Sequence, residues 1–455
     1  MEVVKLDSGY ISGTVLGDPD KPVYVYRGIP YAAPPVGDLR WKPPQPVTPW
    51  SGIRECTAFS AAAPQSVTGH YPKSTMPQSE DCLYLNVLTP MKNDSEKMPV
   101  MVWMHGGSFS FWSGTDTLYN GFRLPLNGIV LVNVNMRLGP LGLLCHPMLS
   151  RESPKGVSGN YTFLDLIATL QWVQKNIPAF GGDPDSVTIF GESSGAAAAV
   201  RLIASTLVKG LFHRAIIESG VGPAFTRSLK DAEAIGEKVF TKLGVDNKSD
   251  SLMAARNMSW QKIIEAGQTV SAEINLPFGL WNSVEDGWFL PDTQATIFST
   301  GRQNRIPFIV GYNSGEVAGW PPGSIPASVD LLSAGNKAGV KTYAYIFDHV
   351  PAGWQRDGVP SHHTFEIPYI FGEWKDWNRH VDFWPILYNF ARNTGAKSDD
   401  PGFTNADNRV SELMMKMWTN FAKTGNPSIE GVVDWPSWDE DKDQYLYITE
   451  SPEVK

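Results

Sequence analysis

The chain has 455 residues, of which 42% are hydrophobic and 19% are charged, an ordinary composition for a globular protein with a large core. Its 38 basic residues against 47 acidic ones give a formal net charge of −9, and no run of Lys or Arg occurs. We therefore expect neither nucleic acid nor an anionic membrane surface as a partner. No apolar run reaches the roughly 18 residues that a membrane-spanning helix needs.

The start of the chain, MEVVKLDSGY, contains no apolar stretch of the kind that directs secretion. We therefore expect a cytoplasmic protein if Met1 is the native start, or a secreted one if a signal peptide has been removed. The three cysteines are too few for a disulfide scaffold, and none has the spacing of a zinc site. Cys56 and Cys82 bracket a loop-like segment, a pattern that fits either a disulfide or two buried thiols.

The first third of the chain predicts strands and helices in alternation. Residues 9–31 alternate apolar and polar side chains around a turn cluster, which is the pattern of a hairpin. Further strands are predicted at residues 99–104 and 128–135, and apolar residues three and four apart predict a helix over residues 161–177. This alternation favours the α/β class, with a mostly parallel central sheet and helices on both faces.

A glycine pair follows the predicted strand at residues 99–104. It belongs to the sequence His105-Gly106-Gly107-Ser108, in which backbone N–H groups can turn towards a developing oxyanion. A simple tight turn explains the same residues. We interpret His105 as a support for this loop rather than as a general base.

The stretch at residues 180–195 carries the strongest chemical signal. Residues 187–190 predict a buried strand, which runs into the turn Gly-Glu-Ser-Ser-Gly at residues 191–195 and then into a helix over residues 196–206. In such a unit the glycines let the backbone bend sharply, and the central hydroxyl is exposed at the helix N-terminus. We therefore interpret Ser193 as a nucleophile, although an ordinary loop serine fits the G-x-S-x-G pattern alone.

Late elements supply candidates for an acid and a base. Strands are predicted at residues 306–311 and 343–347, and Glu316 follows the first of them. In this fold class the acid and the base lie on loops after late strands, so Glu316 fits the acid. The base is one of three histidines that follow the second strand, and spacing alone does not choose among His349, His362 and His363.

The remaining segments are interpreted as framework. Apolar stripes that end at glycines predict helices over residues 229–243 and 408–425. Residues 321–339 are rich in Pro, Ser, Ala and Gly and predict a surface loop or a reduced cap. Aromatic residues between positions 271 and 300, including Trp281, favour core packing, with a weaker indication of a substrate pocket.

Taken together, these motifs make the sequence resemble the type-B carboxylesterase/lipase family of α/β-hydrolases. The resemblance includes the nucleophile stretch at residues 180–195 and the segment EDCLYLNVL at residues 80–88. Further matches are GIPYAAPPVGDLRW, WMHGGSF, NMRLGPLGLL, EIPYIFG and WTNFAKTGNP, so the similarity spans nearly the whole chain. It implies one α/β-hydrolase domain over residues 1–455, with a reduced cap segment near residues 321–340.

The resemblance also implies a role for each candidate residue. Ser193 matches the nucleophile and Glu316 the acid, while His363 matches the base because it stands three residues before Glu366, as the family's histidine does. The oxyanion hole would consist of three backbone N–H groups, those of Gly107, Ser108 and Ser194. The family's first disulfide corresponds to Cys56 and Cys82.

Three departures from the family pattern concern the geometry of the site. The acid is followed by Val317 instead of glycine, and the third oxyanion position holds Ser108, which limits the backbone. Glu316 and His363 are only 47 positions apart, a shorter separation than is usual in the family. The missing part belongs to the helices that roof the gorge, so we expect a more open or reshaped site.

The function implied is that of a serine carboxylic-ester hydrolase, which acts through an acyl-enzyme on a small to medium, largely apolar ester without a metal or organic cofactor. A biosynthetic acyltransferase, lactonase or cyclase would use the same site, and a non-catalytic binding protein of this fold is a third interpretation. Three aromatic residues beyond the oxyanion loop either line a substrate pocket or pack ordinarily: Phe109, Phe111 and Trp112. The natural ester and the oligomeric state stay open.

Overall fold

A computed structural model describes residues 3–65, 76–90, 97–220, 226–245, 250–276, 279–316, 325–375 and 384–455. The strands are β1 Val3–Lys5, β2 Tyr10–Ser12, β3 Thr14–Asp18, β4 Lys21–Pro30, β5 Ile53–Glu55, β6 Tyr84–Thr89, β7 Met98–Met104, β8 Val130–Val134, β9 Gly182–Glu192, β10 Arg214–Glu218, β11 Arg227–Ser228, β12 Val284–Glu285, β13 Phe308–Asn313, β14 Thr342–Phe347, β15 Leu446–Ile448 and β16 Glu453–Val454. The α-helices are α1 Gly139–Leu143, α2 Pro147–Glu152, α3 Tyr161–Asn176, α4 Ser194–Ala204, α5 Leu229–Leu243, α6 Ser251–Arg256, α7 Trp260–Glu273, α8 Gln294–Ser299, α9 Ile325–Lys337, α10 Ala352–Arg356, α11 Ile367–Ile370, α12 Trp384–Thr394 and α13 Asn405–Thr424.

The largest sheet has the strand order β16-β15-β14-β13-β10-β9-β7-β8-β6-β4-β3. The strands from β8 to β15 in this order pair in parallel. Antiparallel strands extend the sheet at both edges, with β6, β4 and β3 on one side and β16 on the other. The predicted α/β class with a mostly parallel sheet is therefore confirmed.

Side chains along the central strands point alternately to the two faces of this sheet. In β7, Val100 and Val102 join a hydrophobic cluster that includes buried residues of α3, α4 and α7, whereas Met101 and Trp103 join a second cluster with residues of α12 and α13. Helices thus cover both faces, and the chemistry is left to loops beyond the carboxyl ends of the strands.

Two helices show how local signals fixed their ends. The helix α5 coincides with the predicted range and ends at Gly244, which has the left-handed φ of 69° that glycine adopts readily. The helix α13 begins three residues before its predicted start of 408. The cause is a capping box, in which the side chains of Thr404 and Asp407 each bond the backbone of the other.

Of the two alternatives predicted for residues 321–339, the surface loop is wrong for most of that range, and the reduced cap stays a prediction. Residues 321–324 lie outside the described residues, whereas α9 is a helix. Leu331 and Leu332 are buried in the first hydrophobic cluster, and a Cβ atom on Gly335 would meet Phe308 of β13 at 2.8 Å. Packing against the sheet therefore outweighs the loop-like composition, and this segment flanks the sheet.

The disulfide predicted between Cys56 and Cys82 is not formed, and both residues are free thiols. Each is 0% exposed within the first hydrophobic cluster, where it packs as a small apolar side chain. Burial raises the pKa of Cys56 to about 11 and that of Cys82 well above its usual value, so both sulfurs stay protonated. Thiolate is the reactive form, which makes these cysteines poor candidates for oxidation.

The organisation of residues 1–455 as one domain stays a prediction, with which the single continuous main sheet agrees. Among the described helices, none is both long and apolar enough to span a bilayer.

Candidate active site

Ser193 stands at a sharp turn between β9 and α4. Its backbone adopts φ 56° and ψ −121°, a region that non-glycine residues rarely occupy. Its N–H donates to the carbonyl of Glu218 in β10 at 2.8 Å, which ties the turn to the sheet. Ser194 is the first residue of α4, a position whose N–H has no partner within the helix. The strand–turn–helix context predicted for Ser193 is therefore present.

Two glycines allow this turn to lie close to β7. A Cβ atom on Gly195 would be 1.9 Å from the carbonyl oxygen of Met104, and one on Gly191 would be 2.5 Å from the same atom. A real Cβ tolerates neither distance, so the turn requires glycine at both positions.

The oxyanion turn, defined as residues 106–108, lies directly beside the nucleophile turn. A Cβ atom on Gly106 would be 3.2 Å from Cβ of Ser193. Gly107 and Ser108 both have positive φ, at 101° and 53°, so Ser108 holds a conformation that glycine adopts with less strain. Within the described ranges, the backbone N–H groups of Gly107 and Ser108 donate to no backbone acceptor.

His363 and Glu316 form a hydrogen-bonded pair. Nδ1 of His363 donates to Oε2 of Glu316 at 2.6 Å, and the backbone N–H of Asn313 donates to Oε1 of the same carboxylate at 3.0 Å. The side chain of Glu316 is only 3% exposed. Glu316 is thus fixed just beyond β13, and it fixes the orientation of the imidazole.

The second ring nitrogen of His363 faces the nucleophile turn. Nε2 lies 3.0 Å from Oε1 of Glu192, the residue immediately before Ser193. The carboxylate of Glu192 also lies beneath the oxyanion turn, where a Cβ atom on Gly106 would be 2.7 Å from Oε2. Glu192 therefore contacts the imidazole and both turns of the site.

Two more buried glutamates lie behind this group. Glu366 accepts hydrogen bonds from Nδ2 of Asn313 at 2.5 Å and from Oγ of Ser219 at 3.2 Å. Glu218 accepts from Nε1 of Trp418 at 2.7 Å. The site is therefore a buried cluster of carboxyl groups around one imidazole.

Burial and charge oppose each other in this cluster. Burial alone would lower the pKa of His363, but the carboxylates of Glu192 and Glu316 outweigh it and raise the pKa to about 10. Burial would raise the pKa of Glu316, yet the charge and the hydrogen bond of His363 hold it below its ordinary value. Burial raises the pKa of Glu192 well above its usual range and, together with the charge of Glu316, raises that of Glu366 to about 7. Of these three carboxyl groups, only that of Glu316 has a pKa below its ordinary value.

The other candidate histidines are engaged elsewhere. Nε2 of His349 lies 2.9 Å from Asp407, and Nε2 of His362 lies 2.7 Å from Oγ1 of Thr394. His105 is 1% exposed and its Nδ1 donates to the carbonyl of Gly106, while burial lowers its pKa to about 4. His105 is therefore a neutral support of the oxyanion turn. Across the residues that the structure covers, no cluster of His, Cys, Asp or Glu is arranged to hold a metal ion.

A cleft of about 190 Å³ is lined in part by residues that follow the oxyanion turn, whereas Ser193, His363 and the turn itself are not among its lining residues. Its lining includes Ser110 and Phe111, whose N–H groups both donate to the carbonyl of Gly107. Of the three aromatic residues proposed for a pocket, Phe111 lines this cleft, whereas Phe109 packs in the core against Phe163. Trp112 is partly buried against the second hydrophobic cluster. A role in substrate binding stays a prediction for all three.

Sequence reasoning missed Glu192 and Glu366 as members of the site. Both lie inside motifs that were identified, the Gly-Glu-Ser-Ser-Gly turn and the segment after His363, but neither motif shows where these side chains point. It also missed Arg201, which is 4% exposed on α4. A signal for Arg201 was present, because a charged residue within the apolar run AAAAVRLIA needs a buried partner.

Comparison with known proteins gives a consistent result over the whole chain. The carboxylesterase family matches residues 1–328 and 324–455. Fumonisin B1 esterase of Sphingopyxis macrogoltabida is 33% identical, over 95% of this chain and 84% of that protein. Cocaine esterase of Homo sapiens is 31% identical, over 95% of this chain and 84% of that protein. Para-nitrobenzyl esterase of Bacillus subtilis (strain 168) is 30% identical, over 96% of this chain and 93% of that protein.

Solved structures agree with these relatives. A para-nitrobenzyl (PNB) esterase superposes with a TM-score of 0.83 at 28% identity, covering 100% of this chain and 97% of that one. A thermophilic PNB esterase gives the same values. The predicted α/β-hydrolase fold is confirmed by this agreement.

Proposed function

Because this chain belongs to the carboxylesterase family and is an ester hydrolase, we propose that it works through Ser193, His363 and Glu316 as nucleophile, base and acid. The observation that carries the proposal is the position of His363. Its Nδ1 is 2.6 Å from Glu316, and its Nε2 is 3.0 Å from Glu192, the residue next to Ser193 on the strained turn. The relatives are esterases and hydrolases, so acyl transfer and non-catalytic binding are not favoured.

Acylation of the enzyme begins with proton transfer. Nε2 of His363 takes the proton of Oγ of Ser193, while Oγ attacks the carbonyl carbon of the ester. The oxyanion that forms accepts hydrogen bonds from the N–H groups of Gly107, Ser108 and Ser194, and loss of one such donor costs about 10²- to 10³-fold in rate. The imidazolium then protonates the leaving alkoxide as its bond to the acyl carbon breaks.

Deacylation repeats these steps with water. His363 takes a proton from the water, the hydroxide attacks the acyl carbon, and Ser193 leaves with the proton that the imidazolium returns. The product is a carboxylic acid. Throughout the cycle Glu316 stays ionised, holds the ring in one tautomer and stabilises its charged form. No step requires a metal or an organic cofactor.

The substrate class that we propose is a small to medium ester with a largely apolar acyl or alcohol group. In support, the cleft near the oxyanion turn is lined by Phe111, Pro140, Leu280 and Trp281, and none of its described lining residues is charged. Such a lining favours apolar groups that pack rather than ions.

A burst experiment tests the triad. With a p-nitrophenyl ester in excess, we expect a burst of about one equivalent of p-nitrophenol per enzyme, followed by slower turnover. Ser193→Ala abolishes both phases. Ser186→Ala, in the first half of β9 and seven positions before Ser193, is the matched control and keeps the burst. Equal turnover by Ser193→Ala and the wild type would refute the assignment of the nucleophile.

A further inference from the structure

Arg201 is a buried cation on the nucleophile helix, about two turns beyond Ser193. Its Nε donates to Oγ of Ser283 at 2.6 Å and its Nη2 to Oδ1 of Asn282 at 2.8 Å. Its Nη1 donates to the carbonyl of Ala197, one turn earlier in the same helix, at 2.7 Å.

This guanidinium is held by neutral groups alone. In the described part of the chain, none of the recorded ion pairs gives it a carboxylate partner. Burying a cation without a counter-ion is costly, and an apolar side chain would fill an Ala-rich helix face more cheaply. The directional bonds to residues 282 and 283 therefore need an explanation beyond packing.

The bonded residues belong to the segment that forms one wall of the cleft. Residues 279–281 line the cleft, and residues 282 and 283 follow them directly. The Trp281 ring rests on α7, where a Cβ atom on Gly267 would lie 2.9 Å from it. Arg227 holds the same segment at the carbonyl of Leu280, with Nη1 at 2.5 Å. Arg201 thus links this cleft wall to the helix that begins at the nucleophile.

The guanidinium also contacts the segment that follows the oxyanion turn. Its central carbon lies 5.7 Å from the ring centroid of Phe109, which directly follows the oxyanion turn. The carbonyl of Phe109 accepts a hydrogen bond from Gly139, another lining residue, at 2.6 Å. Arg201 therefore contacts residues that directly adjoin two parts of the cleft lining, residues 110–111 and 279–281.

We propose that Arg201 is a positioning residue that sets the substrate size preference, by fixing the distance between the wall at residues 279–283 and the oxyanion turn. This inference rests on the function proposed above. The substrates affected would be esters whose apolar group is long enough to enter the cleft. An acetyl ester reaches only the nucleophile and the oxyanion turn, so it would not sense the wall.

The test compares short and long esters in variants of Arg201. Arg201→Met removes the charge and the donors but keeps an apolar stem, and Arg201→Lys keeps the charge but loses the planar fork. The measured quantity is the kcat/KM for p-nitrophenyl hexanoate divided by the kcat/KM for p-nitrophenyl acetate. We expect this ratio to change by about five- to tenfold in both variants, mainly through the KM for the hexanoate. The kcat for the acetate should stay within about twofold of the wild type.

Two further sets of variants complete the experiment. Ser283→Ala and Asn282→Ala each remove one acceptor and should move the ratio in the same direction, which also provides the test if Arg201→Met does not fold. Arg214→Met replaces a half-buried arginine at the far end of β10 and should leave the ratio unchanged.

Three results separate the possible outcomes. A common loss for all esters, or an unchanged ratio in the folded acceptor variants, would overturn the role of Arg201. A change of the ratio that Arg201→Lys fully reverses would overturn the need for the planar fork, and with it the proposal. Failure of the underlying function would look different, because the wild type would then give no burst or Ser193→Ala would retain turnover.

Discussion

The contact between Glu192 and His363 predicts that the pH profile of this enzyme depends on a residue outside the triad. The carboxylate of Glu192 and the imidazolium of His363 lie 3.0 Å apart. Two unit charges at this distance attract each other by about 5 kcal/mol at an effective dielectric constant of about 20, which corresponds to roughly four units in the pKa of His363. Burial of both groups opposes the charged pair, so we expect Glu192→Gln to lower the pKa of His363 by about one to two units. The general base must be neutral, and the acid limb of kcat/KM should therefore move to lower pH by that amount.

The assay measures kcat/KM at pH values between 5 and 10.5. Hydrolysis is measured with a pH-stat, because the signal then does not depend on the ionisation of a chromogenic product. In the wild type, the carboxylates that raise the pKa of His363 to about 10 should place the limb above the unperturbed histidine value of about 6.5. Glu218→Gln is the matched control, because this buried carboxyl belongs to the same cluster but bonds Trp418 instead of the imidazole. If the acid limb of the kcat/KM profile lies at the same pH in Glu192→Gln and in the wild type, Glu192 is neutral whenever His363 titrates. That result would refute the claim that the charge of Glu192 raises the pKa of His363.

Two other substitutions test the frame around the site. Arg137 and Asp165 form a buried ion pair, in which Nε and Nη2 of the arginine donate to the carboxylate at 2.8 and 2.6 Å. Asp165→Asn leaves the arginine cation buried without a counter-ion. We expect this variant to lose about 3–5 kcal/mol of unfolding free energy, measured by denaturant titration. A loss below about 1 kcal/mol would contradict the buried ion pair. Gly195→Ala would place a methyl group 1.9 Å from the carbonyl oxygen of Met104, so the turn that carries Ser193 must shift. Because small displacements of a reacting group have large effects on rate, we expect the amplitude or the rate of the burst to fall by at least about tenfold. Wild-type burst kinetics in that variant would contradict the requirement for glycine.

Local signals explain why much of the framework was predictable. The turn at residues 191–195 is specified by glycines that no other residue can replace, so its strand and helix follow from neighbouring positions. The helix α5 ends where Gly244 supplies a left-handed cap. The choice of His363 came only from family resemblance, and the structure shows why spacing could not make it: His349 and His362 bond side chains of α13 and α12.

The remaining features depend on contacts between distant segments. The helix α9 has a loop-like composition and is recognised only through its packing on β13 and β14. Arg201 meets its acceptors across 81 and 82 positions of the chain. The family resemblance implied a disulfide, but the packing at Cys56 and Cys82 leaves two buried thiols. Each of these outcomes is decided by tertiary environment, which no window of sequence contains.

The order of the reacting groups along the chain has a consequence for biosynthesis. The serine emerges from the ribosome 170 positions before the imidazole that would activate it, as residue numbers 193 and 363 show. Under the proposed triad, a nascent chain halted before β14 would carry an unactivated hydroxyl and would not acylate itself with cellular esters. With this triad, reactivity would appear only after the late strands have joined the sheet, so that completion of folding would activate the enzyme.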